Sequence, residues 1–164
     1  LRYANQSARL YGFDLSGKLP LIDTSVGSFG MKALINYTRG KNRDSGDDLY
    51  NIMPANGKLT LTHQSGGWDN ALELIGVAAK RQVSGQRNEI QTGGYSLVNL
   101  RGSYSWQQVR LDFGVENLFD RFYDLPTGGA YTGQGRTMSI TGIPWGIAVP
   151  GMGRSLYAGV NVKF

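Results

Sequence analysis

Strict alternation of apolar and polar residues is the feature that most restricts this chain. Val109, Leu111, Phe113 and Val115 are interleaved with Arg110, Asp112, Gly114 and Glu116. Side chains of a strand point to opposite faces at every second residue, so this segment has one apolar face and one polar face. A helix would put Arg110 and Phe113 on the same side and lose that separation. The same period recurs at Tyr11–Leu19, Phe29–Thr38, Leu59–Gln64, Val98–Ser105 and Leu156–Phe164. A further strand is expected over Ala71–Val83, where Leu72, Leu74, Ile75 and Val77 blur the alternation. The pattern therefore predicts an all-β, antiparallel chain of about seven strands.

The connections predict what kind of β structure this is. Pro20–Ser25, Ser65–Asp69 and Ser105–Gln108 read as short turns. Residues 40–56, 84–93 and 121–153 read as long links rich in Gly, Asn, Asp and Pro. Short and long links alternate along the chain. A transmembrane barrel has that order, with tight periplasmic turns at one end and long outer loops at the other, whereas a soluble sandwich has no reason to keep it. No stretch is long and apolar enough for a membrane helix. A negative mean hydropathy is compatible with spanning strands, because only alternate residues face lipid. Tyr37, Tyr95, Tyr104, Trp106, Phe119, Phe122, Tyr123 and Phe164 sit near strand ends, where aromatic rings suit the headgroup zone.

Composition narrows the function classes. The 24 glycines and 11% aromatic residues suit strands and turns, and the absence of cysteine excludes disulfides and thiolate metal sites. The formal charge of +5 does not make a nucleic-acid surface. Arg39, Lys41 and Arg43 are soon answered by Asp44, Asp47 and Asp48, and no basic stripe or RNA-recognition signature is present. With one histidine, His63, on the apolar phase of a strand, neither a Ser/His/Asp triad nor a multi-histidine metal site can be built. His63 reads as structural. Asp47 and Asp48 sit in a charged loop and do not suggest acid–base chemistry. The Gly-Gly pairs at 66–67, 93–94 and 128–129 are turn glycines, since none opens a helix after a strand. No cofactor site is expected, and the chain does not read as an enzyme.

The last eight residues, Tyr157-Ala-Gly-Val-Asn-Val-Lys-Phe164, carry apolar residues at the last and third-last places and a glycine five before the end. This resembles the terminal-strand signal of outer-membrane proteins, with Tyr157, Gly159, Val162 and Phe164 as the residues that the barrel-assembly machinery would read. An unpaired strand edge offers such a factor something to bind. Three further segments carry a more specific resemblance. Val115-Glu-Asn-Leu-Phe-Asp-Arg-Phe-Tyr123 is similar to the "NLFD…Y" segment of TonB-dependent receptors. Pro150-Gly-Met-Gly-Arg-Ser-Leu-Tyr157 is similar to the "GR" lead into their final strand, and Asn5–Leu15 is similar to their "N…A…G-[VF]-[ED]-L" strand. The resemblance covers nearly the whole chain. It implies that residues 1–164 are the C-terminal part of a barrel of roughly 22 strands, with plug domain and earlier strands absent. It also implies a Gram-negative outer membrane, contact with its lipid, and a metal-chelate substrate, commonly a ferric siderophore. Import would be energised by TonB through the plug.

The loop 121–153 is the expected ligand-binding region, since loops that long in compact structures are usually functional or disordered. Arg136 suits an anionic chelate, Tyr131 and Trp145 suit planar rings, and Met138 suits a soft contact. Met138 and Met152 also fit the bland role of gap-fillers, which is favoured over copper ligation. Arg110, Asp112 and Glu116 are expected to face the barrel interior and meet the plug. The rival reading is a complete small outer-membrane barrel acting as an adhesin or structural protein. It needs an eighth strand and leaves Asn117–Tyr123 unexplained.

Overall fold

The structure, a computed structural model, describes residues 5–131 and 146–163, with only the backbone of Tyr131. Seven strands form one antiparallel sheet: β1 (Ala8–Thr24), β2 (Gly27–Asn42), β3 (Asn56–Ser65), β4 (Trp68–Val77), β5 (Tyr95–Trp106), β6 (Val109–Glu116) and, after the longest link, β9 (Ser155–Val162). Each strand pairs with its neighbour in sequence, so the sheet is a meander. Within the last link, β7 (Ala130–Tyr131) and β8 (Ile147–Ala148) make a separate short hairpin. β1 and β9 are the two edges of the large sheet and do not pair with each other. The seven strands therefore do not close into the small barrel of the rival reading.

Register assigns the two faces. Phe13 lies opposite Tyr37, Leu61 opposite Leu72, and Phe113 opposite Ala158, all on one face. Phe13, Leu15, Leu61, Leu74, Leu111, Phe113 and Val160 are all exposed there. Among the described residues the only buried hydrophobic side chains are Val77 and Ala148. A sheet with its apolar residues on the outside and no packed core is stable in lipid rather than in water. The opposite face is concave and polar. It holds a trough of about 900 Å³ running across the whole sheet from Ser16 and Lys18 to Asp112 and Tyr157.

Several expected boundaries move. Ser25 and Val26 alone form the first turn, and β1 runs on to Thr24 by leaving Leu21 out of register between Pro20 and Ile22. A bulge beside a proline is how a strand absorbs the missing N–H. β4 stops at Val77 rather than Val83. Its blurred alternation has a local cause: Ile75 and Val77 lie on the polar face at the loop end, opposite Leu97 and Tyr95, where the loops fold down and cover them. The last loop begins at Asn117 and not at Arg121.

The aromatic belt is clearest at the turn end. There Phe29 stacks on His63 with centroids 4.7 Å apart, and Trp68 packs on Tyr104 at 4.8 Å. Tyr95 departs from the expectation. It lies on the concave face and stacks on Tyr123 at 4.4 Å, holding the last loop rather than meeting a headgroup.

Candidate functional site

The concave face gathers the charged side chains that register brings into line. Glu73 accepts hydrogen bonds from Arg101 Nε at 3.0 Å and from Asn99 Nδ2 at 3.4 Å, with Lys58 Nζ at 3.6 Å. The other side of the Arg101 guanidinium donates to Glu116 at 3.0 Å and to the Tyr157 hydroxyl at 3.3 Å. Tyr157 can lie across the strand because Gly114 opposite leaves room for its ring. Closer to the turns, Arg110 Nε and Asn161 Nδ2 both donate to Asp112, each at 2.8 Å. Arg110, Asp112 and Glu116 thus face the trough, as their phase predicts. Glu73 and Arg101 form the centre of the cluster, and sequence reasoning missed them. Both lie on polar phases, but the strand register was needed to show that they meet.

The junction above the trough is built on Asn117. This residue has φ 51° and is buried. Its N–H donates to Asn99 Oδ1 at 2.9 Å, and its Oδ1 accepts from the Arg121 N–H at 2.9 Å. Its Nδ2 donates to the carbonyls of Arg121 (2.8 Å) and Met152 (3.2 Å). Asp120, also at φ 51°, accepts the Arg154 N–H at 2.8 Å. Tyr123 then packs its ring against Gly151, where a Cβ would collide with it. The Asn117–Tyr123 and Pro150–Tyr157 segments are therefore two halves of one joint that leads β6 out of the sheet and back into β9.

Three loops are tied together beyond the strand ends. Lys80 is buried, with Nζ 2.5 Å from Glu89 Oε1 and 2.9 Å from the Pro126 carbonyl. Glu89 also accepts the N–H groups of Asn51 (2.9 Å) and Ser84 (2.8 Å). Asp47 clasps the single 3-10 turn at Gly85–Arg87, accepting from the Ser84 hydroxyl at 2.8 Å and from the Gly85 and Gln86 N–H groups at 3.0 and 3.1 Å. Those N–H donors, Gln86 and Gly85 first and the Ser84 hydroxyl after them, favour the ionised carboxylate and hold Asp47 below the ordinary aspartate value. No periodicity marks Lys80 or Asp47, because loop-to-loop contacts leave no pattern in a sequence.

Of the expected ligand residues, Arg136, Met138 and Trp145 lie outside the described residues, and Tyr131 is placed by its backbone opposite Ile147. Met152 is exposed and lines the space under the last loop with Tyr123 and Leu125. Of the terminal-strand residues, Tyr157 and Gly159 face the trough and Val162 lies opposite Val109 on the apolar face; Phe164 is outside the described residues. His63 is structural: its Nε2 donates to the Val26 carbonyl at 2.9 Å.

This architecture has counterparts. The chain is 29% identical over 148 residues to heme/hemopexin utilization protein C of Haemophilus influenzae, covering 84% of this chain and 19% of the relative. It is 30% identical over 155 residues to the protein of the same name in Haemophilus influenzae strain 86-028NP. It superposes on a solved structure, the copper transporter OprC, with a TM-score of 0.83 at 25% identity, covering 98% of this chain and 25% of that one. The chain thus spans 19% of the length of the curated relatives it matches. Residues 1–118 match the family described as TonB dependent receptor-like, beta-barrel. The seven-stranded meander, apolar outside and polar in its trough, is part of such a barrel, and the chain belongs to the TonB-dependent receptor family.

Proposed function

We propose that this chain is part of the wall of an outer-membrane receptor that takes up a metal-bearing substrate, with TonB supplying the energy through the plug. The observation that carries this reading is the two-faced sheet. Its outer face is apolar along the middle of the strands, while its trough carries the Glu73–Arg101–Glu116 cluster, which suits a plug or a passing polar solute. The tied loops beyond the strands suit a rigid binding mouth. Among substrates, iron porphyrin ranks first, because the curated relatives carry haem in their names; ferric siderophore and copper come next. Tyr131, Arg136, Met138 and Trp145 remain the proposed ligand contacts, and Tyr157, Gly159, Val162 and Phe164 the proposed contact for barrel assembly.

The test is growth of a strain lacking the full-length receptor, supplied with haem, a ferric siderophore or limiting copper as sole source. Slower growth on haem alone, restored by the intact gene, is the expected result. Loss on siderophore or copper alone would reassign the substrate. Unchanged growth on all three would remove the metal-uptake reading.

A further inference from the structure

The outward apolar surface ends abruptly on β1 and β2. On β2 it runs from Phe29 through Met31, Ala33 and Ile35 to Tyr37, which matches the ~9–11 residues a tilted strand needs to cross the hydrocarbon layer. The next two outward positions are Arg39 and Lys41. Register places Tyr11 opposite Arg39 and Arg9 directly opposite Lys41, so three cations share one small patch just beyond the Phe13–Tyr37 pair. Like charges placed directly opposite across a strand pair are unfavourable unless an anion lies between them.

Protein carboxylates do little to supply that anion. Among the described residues, Arg9, Arg39 and Lys41 take part in no ion pair. Asp44 is engaged by the Ser7 N–H at 2.7 Å, and Asp47 by the Ser84–Gln86 turn. Only Asp48 lies in the same row: its backbone forms an isolated β-bridge with that of Lys41, and it lines the groove beside Arg39, one carboxylate against three cations. The Arg9 guanidinium rests 5.3 Å over the Tyr11 ring, which leaves its N–H groups free to donate outward. Beside the patch, a groove of about 180 Å³ between β2 and the loops adds Arg81 to Arg39 against an apolar wall of Ile52, Met53 and Pro54.

We propose that this patch is a docking site for a phosphorylated lipid of the outer leaflet, its phosphate held by Arg9, Arg39 and Lys41 and its acyl chains lying on Phe13, Ile35 and Tyr37. The height of the patch selects the occupant. A free anion would need no apolar surface, whereas a phosphate joined to acyl chains is satisfied at this level and no other. The site is on the outer wall, away from the trough, so it stands whichever substrate the receptor carries.

The experiment uses the full-length receptor purified in detergent and stripped of lipid, with binding of diphosphoryl lipid A read by native mass spectrometry. Arg9→Gln/Arg39→Gln/Lys41→Gln should retain about tenfold to a hundredfold less lipid than the parent. Removing two cations from the trough instead, Lys18→Gln/Lys32→Gln, should leave retention unchanged. Phosphatase-treated lipid A should bind the parent as poorly as the triple variant binds the intact lipid. Heat-modifiable gel mobility confirms that each variant is a folded barrel, and the milder Arg39→Gln alone serves if the triple variant is not. Equal retention by variant and parent, or equal binding of the dephosphorylated lipid, overturns the proposal. Displacement of lipid A by inorganic phosphate at millimolar concentration would reassign the patch to a free anion and overturn it as a lipid site.

Discussion

Asn117 meets two demands that few residues satisfy together. Its backbone is left-handed, and its side-chain amide binds the Arg121 N–H and two carbonyls across the joint. Asparagine tolerates this conformation because its short polar side chain can hydrogen-bond locally. The two requirements can be separated by mutation. Asn117→Gly keeps the conformation and loses the side-chain bonds, so it should cost about 1–3 kcal/mol. Asn117→Ala adds roughly 1–2 kcal/mol for a Cβ in the left-handed region. Urea midpoints of the receptor refolded into lipid check both, and equal costs for the two variants would mean that backbone strain is irrelevant here. The motif was legible in the sequence as Asn-Leu-Phe-Asp, but its purpose was not. That Asp120 meets Arg154 and that Tyr123 meets Gly151 depends on a return of the chain some thirty residues later.

At the scale of elements, strands and turns have different kinds of causes. The strands follow from alternation, and each expected strand is present. Their ends were less legible. β4 continues in the sequence as a mixed apolar run, yet it stops at Val77; Ala78 N–H still donates to the Ala55 carbonyl at 2.8 Å, and Lys80 then pairs with Thr92 in an isolated bridge. The loop clasp gives the molecule a pH response. Asp47 is held below the ordinary value of 3.8, so its contribution is fully present above that value and is lost as pH falls through the lower, folded value. Pepsin cleavage within residues 43–55 or 84–88 should therefore rise steeply as pH drops below about 4, the unfolded aspartate value. Asp47→Asn should cleave readily at higher pH as well, with a flatter pH profile. A profile identical to the parent would show that the clasp does not hold the loops.

For the whole molecule, the meander has two open edges. Unpaired backbone groups on β1 and β9 cannot be left in lipid, where nothing else can satisfy them. Residues 1–164 expressed alone are expected to give no heat-modifiable band after mixing with lipid vesicles, while the full-length receptor does. A protected, heat-modifiable species from this segment would show that the sheet can close on itself. The sequence by itself determined the seven strands of the large sheet, its two faces and the family, because side-chain period and turn residues are local properties of the chain. Only the tertiary structure decided which charges meet in the trough, how Lys80, Glu89 and Asp47 bind three loops, and that Arg9 and Lys41 stand side by side at the rim. Those contacts join residues far apart in sequence, and strand register and loop return set them rather than any pattern a neighbour can reveal.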